Sequence, residues 1–270
     1  MLLGAGAIED YLRQVLPDGH PLMMVHSSSN GIPIERNLMR AAASVLDVLD
    51  RLVGPNGTLA MPTHPRYDDL TGFMDDRSHL LPKYDPRMTP SSVGLITELF
   101  RRRPGTSRSM HPLSSLAASG PLAGAILEDN LSGPGALPHG VHSGYYRCCQ
   151  MDGLVVSLGV PLINYLTVMH VAEEVRDDDW PIKGFFRTRR FIVVDEGRED
   201  QWEVRERKPE FVRCLALEKF RRDLLREGIL HESTSLGIRI DWANAHDVFD
   251  FMMARNASGY PYYFTRLAGA

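Results

Sequence analysis

The sequence has few of the features that mark a secreted, membrane-spanning or nucleic-acid-binding protein. Three cysteines in 270 residues are too few for a disulfide framework, and their positions, 148, 149 and 214, lack zinc-site spacing. No apolar run is long enough to span a bilayer, and the N-terminus does not resemble a signal peptide. The net charge of −4 gives no reason to expect a nucleic-acid partner. We therefore expect a cytoplasmic protein with no nucleic-acid or membrane partner.

Sequence motifs of several large enzyme classes are also missing. The chain contains no G-x-S-x-G elbow, no Walker loop and no G-x-G-x-x-G fingerprint. These absences weaken the serine hydrolase, nucleotide triphosphatase and dinucleotide-binding interpretations. The H-E-x-x-H pair of the zincin metalloproteases is missing as well.

What is present is an alternation of strand and helix patterns. Short apolar runs predict strands, and apolar residues three or four apart predict helices. The predicted strands are 22–25, 58–61, 154–159, 191–194 and 202–204, and the predicted helices are 5–16, 35–52, 91–102, 120–128, 165–175, 211–227 and 247–256. This order predicts an α/β fold, a single-domain α/β/α sandwich over residues 1–270 with a mixed central sheet. The polar stretch 63–90 has no periodicity and is expected to be a functional or a disordered loop.

One stripe of the predicted helix 165–175 has the residues of an acid–base site. Thr167, His170 and Glu173 are spaced three apart and would share one face. A carboxylate one turn away can fix the tautomer of an imidazole and leave its other nitrogen free to take a proton. The simpler alternative is a helix face on which His170 only hydrogen-bonds Glu173. A second alternative is a metal-dependent hydrolase built from His64, His111, His170 and Glu173.

Loops after the predicted strands offer further candidate ligand contacts. His26, Ser27, Ser28 and Ser29 follow the first strand, where hydroxyl and N–H groups could bind a phosphate or a carbonyl oxygen. A simple capping turn would use the same residue types. The segment 108–112 (RSMHP) is also suited to a phosphate, and the acidic loop around 68–85 to a cationic amine.

Taken in order, these motifs resemble the aminoglycoside 3-N-acetyltransferases, antibiotic acetyltransferases unrelated to the GCN5-type fold. The matching segments are 25–29 (VHSSS), 57–63 (GTLAMPT), 84–94 (YDPRMTPSSVG), Glu98, 108–112 (RSMHP), Gly120, 159–160 (GV) and the T-x-x-H-x-x-E motif at 167–173. The resemblance covers about residues 5 to 255. Each segment is weak alone, but their common order and spacing are specific.

The resemblance implies a fold, a reaction and a set of site residues. The fold would be a single α/β/α sandwich, and the reaction would move acetyl from acetyl-CoA to an amine of an aminoglycoside, an amino sugar or a related metabolite by direct attack on the thioester. His170 would be the general base, Glu173 would orient it, and Thr167 would lie near the thioester. The implied coenzyme A contacts are His26, Ser27, Ser28, Ser29, Ser109 and His111, and the implied acceptor contacts are Tyr67, Asp68, Asp69 and Asp85. No metal is expected, and a homodimer is possible.

Two segments depart from the family pattern. The stretch 139–146 (HGVHSGYY) stands where resistance enzymes commonly have a Gly-x-Gly-Ser-Pro-like sequence. The stretch 180–190 carries Lys183, Arg187, Arg189 and Arg190, whereas a cationic aminoglycoside would favour acidic groups. These departures leave the acceptor amine open. A family-derived binding protein without catalysis is a third alternative, against which the presence of Thr167, His170 and Glu173 argues.

Overall fold

A mixed sheet forms the centre of the protein. The computed structural model describes residues 4–33, 37–67, 81–133, 135–212 and 215–257. Within these ranges the central sheet has seven strands, in the order β4 (Ser107–Arg108), β5 (Leu116–Ser119), β2 (Thr58–Pro62), β1 (Leu22–Ser27), β6 (Leu154–Leu158), β10 (Ile238–Asn244) and β9 (Leu230–Ser235). Strands β2, β1 and β6 are parallel, while β5, β4, β10 and β9 pair antiparallel with their neighbours. The predicted mixed sheet is confirmed.

Helices cover both faces of this sheet, as predicted. One face carries α1 (Ala5–Val15), α2 (Leu38–Val53) and α3 (Leu95–Arg101), and the other carries α4 (Ala123–Leu127), α5 (Gly144–Gln150), α8 (Leu217–Arg226) and α9 (Ala245–Ala257). Side chains alternate between the two faces along β1: Met23 and Val25 pack with the first group, and Leu22 and Met24 with the second. None of the helices described here is both long and apolar enough to cross a membrane.

A second, smaller sheet consists of β3 (Lys83–Tyr84), β7 (Phe186–Asp195) and β8 (Arg198–Arg207). Its core is the cluster of Tyr84, Phe191, Val193 and Val204. The strand pair predicted at 191–194 and 202–204 is therefore a longer hairpin in a sheet of its own. The mixed direction of the main sheet comes from β4, β5, β9 and β10, which the apolar patterns of the sequence did not predict.

Three predicted helices differ from the structure. The segment 165–175 is a 3₁₀ turn (Thr167–His170) followed by the one-turn helix α6 (Val171–Glu174). The segment 120–128 contains the shorter helix α4, which follows a turn that begins where β5 ends. The segment 211–227 is divided between α7 (Pro209–Val212) and α8. In the segment 165–175, residues three apart share a face in a 3₁₀ turn just as they do in an α-helix. The spacing of its residues could therefore not distinguish these two kinds of helix.

Candidate active site

The carboxyl ends of β1 and β6 form the floor of the candidate site. His26 pairs in register with Ser157, and Ser27 with Leu158. The loops that leave the two strands touch through glycines: a Cβ built on Gly31 would lie 1.9 Å from the carbonyl oxygen of Gly159. Parallel strand ends of this kind are where α/β sheets place their ligands.

His26 and Thr167 meet above this floor. His26 follows Leu22 and Met24 on the same face of β1, which directs it toward the layer that contains the Thr167–His170 turn. Thr167 Oγ1 lies 3.5 Å from His26 Nε2 and 4.0 Å from Met24 Sδ. Burial lowers the pKa of His26 to about 4, because an imidazolium would lose its hydration there. His26 is therefore neutral at pH 7.

His170 and Glu173 form the predicted imidazole–carboxylate pair. His170 Nδ1 lies 3.3 Å from Glu173 Oε1, and the Glu173 side chain is fully buried. With the ring hydrogen on Nδ1, the carboxylate accepts from it and Nε2 is left as the proton acceptor. The 3₁₀ turn supplies the histidine and α6 supplies the carboxylate, one turn later in the chain.

Arg207, the last residue of β8, adds a positive charge to this pair. In the tautomer with hydrogen on Nδ1, its Nη2 donates to His170 Nε2 at 3.2 Å. Its Nη1 lies 2.8 Å from Nδ1 and competes with the hydrogen there, because a guanidinium only donates. Nη1 also donates to Glu173 Oε2 at 3.4 Å. Burial and then the Arg207 charge lower the pKa of His170, against the opposite effect of Glu173. The arrangement favours the neutral imidazole, which is the form that can act as a base.

A second histidine–carboxylate pair lies beside the first. His139 Nδ1 is 3.0 Å from Glu174 Oε1, and the His139 backbone N–H donates to Glu174 Oε2 at 2.5 Å. The His139 ring is edge-on to that of His170, with centroids 5.5 Å apart, and 4.7 Å from that of Tyr145. His139 Nε2 is buried and has no hydrogen-bond partner in the part of the chain that the structure describes.

His64 lies at the edge of this group. Its Nε2 is 3.4 Å from the Tyr145 hydroxyl, and its pKa is lowered to about 3, mainly by burial and then by the neighbouring His139 and His26. Among the described residues, no three His, Cys, Asp or Glu side chains converge as a metal site would require. The described side chains of His64, His111, His170 and Glu173 therefore do not form the metal site that a metal-dependent hydrolase would need.

Ser27 ends β1, and Ser28 and Ser29 begin the loop that follows it. Ser27 points to the face of the sheet opposite to that of His26, and its buried Oγ has no hydrogen-bond partner among the described residues. The Ser28 N–H donates to the Leu158 carbonyl, and the 3₁₀ turn Ser29–Gly31 follows without a side-chain cap. The Ser28 hydroxyl therefore does not cap this turn, as the simpler alternative required. The role of the three serines as coenzyme A contacts stays a prediction.

Ser109 and His111 use their polar atoms inside the protein. Ser109 Oγ accepts from the Leu116 N–H, and its carbonyl accepts from the Tyr84 hydroxyl. His111 Nδ1 accepts from the Leu113 N–H, and Nε2 lies 3.3 Å from the Ala136 carbonyl. Both residues are buried, and burial lowers the pKa of His111 to about 3. These contacts fix the segment 108–112, while a direct contact with coenzyme A stays a prediction.

The predicted acceptor residues fall into two groups. The Tyr67 hydroxyl donates to the Pro112 carbonyl, and its ring packs on Phe191. Asp85 Oδ1 accepts from the backbone N–H groups of residues 87 and 88 and so caps a turn. Asp68 and Asp69 lie outside the described residues. The structure thus gives Tyr67 and Asp85 local structural contacts and does not join them to His170.

Part of the charge of the basic stretch 180–190 is neutralised inside the protein. Arg187 Nε donates to Glu206 Oε1 at 2.7 Å, and Arg189 Nη1 lies 3.5 Å from the same atom. Glu206 is buried between them on β8. Two of the arginines of this stretch, Arg187 and Arg189, therefore form an ion-pair network with Glu206 in the small sheet.

Three functional candidates were missed in the sequence: His139, Glu174 and Arg207. A signal existed for the first two, since Glu174 directly follows Glu173 and His139 begins the stretch that departs from the family pattern. No local pattern could have found Arg207, because it reaches His170 only through the docking of the hairpin.

The fold and the site together define an α/β/α sandwich with a histidine–carboxylate pair at the ends of parallel strands. Comparison with known families identifies it further. The family model for aminoglycoside 3-N-acetyltransferase matches residues 24–256, and the chain belongs to this family.

Individual relatives agree with this assignment. Aminoglycoside N(3)-acetyltransferase VII of Streptomyces paromomycinus is 36% identical over 164 residues, which cover 57% of this chain and 55% of the relative. Aminoglycoside N(3)-acetyltransferase III of Salmonella sp is 33% identical over 182 residues, or 63% of this chain and 60% of the relative. The matched regions thus span little more than half of the length of these curated relatives.

Solved structures show the same fold. AAC-IIIb in a binary complex with CoASH has a TM-score of 0.77 at 22% identity, and the match covers 96% of this chain and 98% of that one. AAC-VIa bound to sisomicin has a TM-score of 0.77 at 22% identity, covering 97% of this chain and 100% of that one. The predicted α/β/α sandwich is confirmed.

Proposed function

We propose that the protein is an acetyl-CoA-dependent N-acetyltransferase in which His170 is the general base. The observation that carries this proposal is the His170–Glu173 pair, 3.3 Å apart at the carboxyl ends of β1 and β6. Family membership and the complexes of structural relatives with CoASH and sisomicin support it.

The proton transfer follows from the tautomer. Nε2 of His170 accepts a proton from the amine as the nitrogen attacks the thioester carbonyl, and Glu173 stabilises the imidazolium that forms. The amine must displace Arg207 Nη2, which donates to Nε2 at 3.2 Å. The guanidinium also keeps the imidazole neutral before attack. Arg207 thus acts before the proton transfer, and Glu173 acts once the imidazolium has formed.

The donor side would involve the sheet floor. Among the described residues, Thr167 Oγ1 contacts only His26 Nε2, at 3.5 Å, and Met24 Sδ, at 4.0 Å. The hydroxyl could therefore turn toward a developing oxyanion. The buried Ser27 Oγ is a second hydroxyl that a ligand could satisfy. We place the acetyl-CoA thioester near Thr167 and the coenzyme A arm along residues 27–29.

Direct attack is favoured over an acyl-enzyme because the described residues include no activated thiol. Cys148 and Cys149 are buried in the core, and burial raises the pKa of Cys148 to about 12. A thioester is already an activated acyl donor, so a covalent intermediate is not required. The acceptor would be an amine of an aminoglycoside, an amino sugar or a related metabolite.

An assay of thiol release from acetyl-CoA with a panel of aminoglycosides, amino sugars and simple amines tests this function. We expect His170→Ala to lower kcat by about 10²- to 10⁴-fold, the usual contribution of a general base, with little change in acetyl-CoA binding. His246→Ala, on an exposed face of α9, is the matched control and should retain full activity. A His170→Ala enzyme with a near-normal rate would refute the base assignment.

A further inference from the structure

The second histidine–carboxylate pair has no role in the reaction described so far. His139 is 6% exposed, its Nδ1 is committed to Glu174, and its Nε2 has no partner among the described residues. Leaving a buried polar atom unsatisfied is unfavourable, because the atom loses its hydrogen bond to water and gains none in the protein. A side chain with only a structural role would gain by satisfying that atom or by being apolar. An unsatisfied Nε2 next to His170 therefore indicates a group that is satisfied when a ligand is bound.

The proton balance of amine acetylation supplies a use for such a group. At neutral pH an aliphatic amine is an ammonium ion, so the net reaction is R–NH₃⁺ + acetyl-S-CoA → R–NH–acetyl + CoA-SH + H⁺. One C–N bond forms, one C–S bond breaks, and the nitrogen loses two protons. One proton ends on the leaving sulfur and the other in solvent. A single imidazole would have to release the first proton before it could accept the second.

We propose that His139 is a second base, which takes the first proton from the bound ammonium ion. His170 then takes the second proton during attack and returns it to the coenzyme A sulfur, while His139 releases its own proton to solvent. This inference rests on the proposed function, and it adds a residue and a step to it. His139 would contact the reacting amine, and Glu174 would position His139.

The surroundings of His139 fit this assignment. Glu174, from α6, lies 3.0 Å from Nδ1 and would stabilise the imidazolium, as Glu173 does for His170. Titratable groups around His139 include His170 of the 3₁₀ turn and Tyr145 of α5, whose rings lie against it. They also include His64 and His111 of two loops, and Arg207 beyond His170. The single turn α6 thus gives one carboxylate to each imidazole, through adjacent residues.

His139→Asn is the informative variant. The asparagine amide can occupy the place of Nδ1 and donate to Glu174, while the Nε2 atom is lost. The exposed His142 lies on the same loop, and His142→Asn is the matched control. Sisomicin, the ligand of the related AAC-VIa, serves as the probe, together with any amine of the panel that the wild-type protein acetylates.

The measurement is kcat/KM from pH 6.5 to 9.5. We expect His139→Asn to lose about 10²-fold at pH 7 and most of this loss to vanish at pH 9.5, where the amine arrives uncharged and needs only one base. His170→Asn should lose activity at both pH values, and His142→Asn at neither. Glu174→Gln should show the His139→Asn pattern in weaker form.

The outcomes separate the two proposals. A wild-type protein that transfers acetyl to no amine overturns the proposed function and this inference with it. An active wild-type protein whose His139→Asn variant loses the same factor at every pH shows a structural role and overturns this inference alone. The same holds if His139→Asn keeps the full rate at pH 7. Should that variant fail to fold, judged by its circular dichroism, the pH profile of Glu174→Gln decides in the same way.

Discussion

Arg207 holds a positive charge against the ring of the histidine that we assign as the base. Its two terminal nitrogens lie 2.8 and 3.2 Å from the two ring nitrogens of His170. At such distances in a buried site, a cation strongly disfavours a second positive charge on the ring. At the scale of single residues, the site is therefore balanced: Glu173 favours the imidazolium and Arg207 the neutral base.

Removal of this charge should shift the pH dependence of the reaction. Arg207→Met keeps much of the side-chain volume, and without the guanidinium the pKa of His170 rises. Because the base must be neutral, the acid limb of kcat/KM against pH should move to higher pH. Arg198→Met, at the exposed hairpin turn, is the control and should leave the limb in place. An unchanged or lower-pH limb in Arg207→Met would contradict the electrostatic role.

At the scale of elements, two loops can pack backbone against backbone because glycines stand at their point of contact. Gly31 and Gly159 follow β1 and β6, and each backbone occupies the space that a Cβ on the other would need. Gly159 also has a φ of +77°, which side chains disfavour. This contact sets the position of the loop that begins at Ser28 relative to the turn that leads to Thr167.

Gly31→Ala should therefore disturb both stability and the site. Its Cβ would overlap the Gly159 carbonyl at 1.9 Å, and we expect the free energy of unfolding to fall by about 1–3 kcal/mol or more, as in other overpacked sites. Gly6→Ala is the matched control, because no atom lies within 4 Å of its new Cβ. In the helix α1 it should stabilise by about 0.4–1 kcal/mol. Urea unfolding of the three proteins measures both effects, and equal stabilities would refute the packing argument.

The elements differ in how well the sequence predicted them, for physical reasons. β1, α2 and β6 carry strong apolar patterns and were predicted within a few residues. β10 was missed although it alternates, because the buried Asp241 interrupts its apolar character: this carboxylate accepts from Arg239 and from the Leu162 N–H. The His170–Glu173 pair was predictable from spacing alone. His139 and Arg207 were not, because docking of separate elements brings them to His170.

At the scale of the whole molecule, the buried histidines make stability depend on pH. Burial lowers the pKa of His26 to about 4 and the pKa values of His64 and His111 to about 3. Unfolding exposes these imidazoles, which then bind protons at their ordinary pKa near 6.5. The unfolded state therefore binds more protons than the folded state between about pH 6.5 and pH 4, and stability must fall as the pH falls through this window.

We expect the free energy of unfolding to drop by a few kcal/mol, roughly 1–2 kcal/mol for each buried histidine, between pH 7 and pH 5. Urea unfolding at several pH values measures this slope. His111→Gln should be less stable at pH 7 but show a shallower slope, since one proton-binding group is lost. His246→Ala should keep the wild-type slope, because that histidine is exposed. A stability that is flat between pH 7 and pH 5 would contradict the burial of these imidazoles.

The one-turn helix α6 also limits how this chain can change in length. Glu173 and Glu174 are neighbours, yet they reach different histidines, His170 from the preceding turn and His139 from a distant loop. Insertion or deletion of one residue there would rotate the following side chains by about 100°. Both carboxylates would then turn away from both imidazoles at once. Substitutions can be compensated one at a time, but a length change in this segment would remove the two proton-handling pairs in a single event.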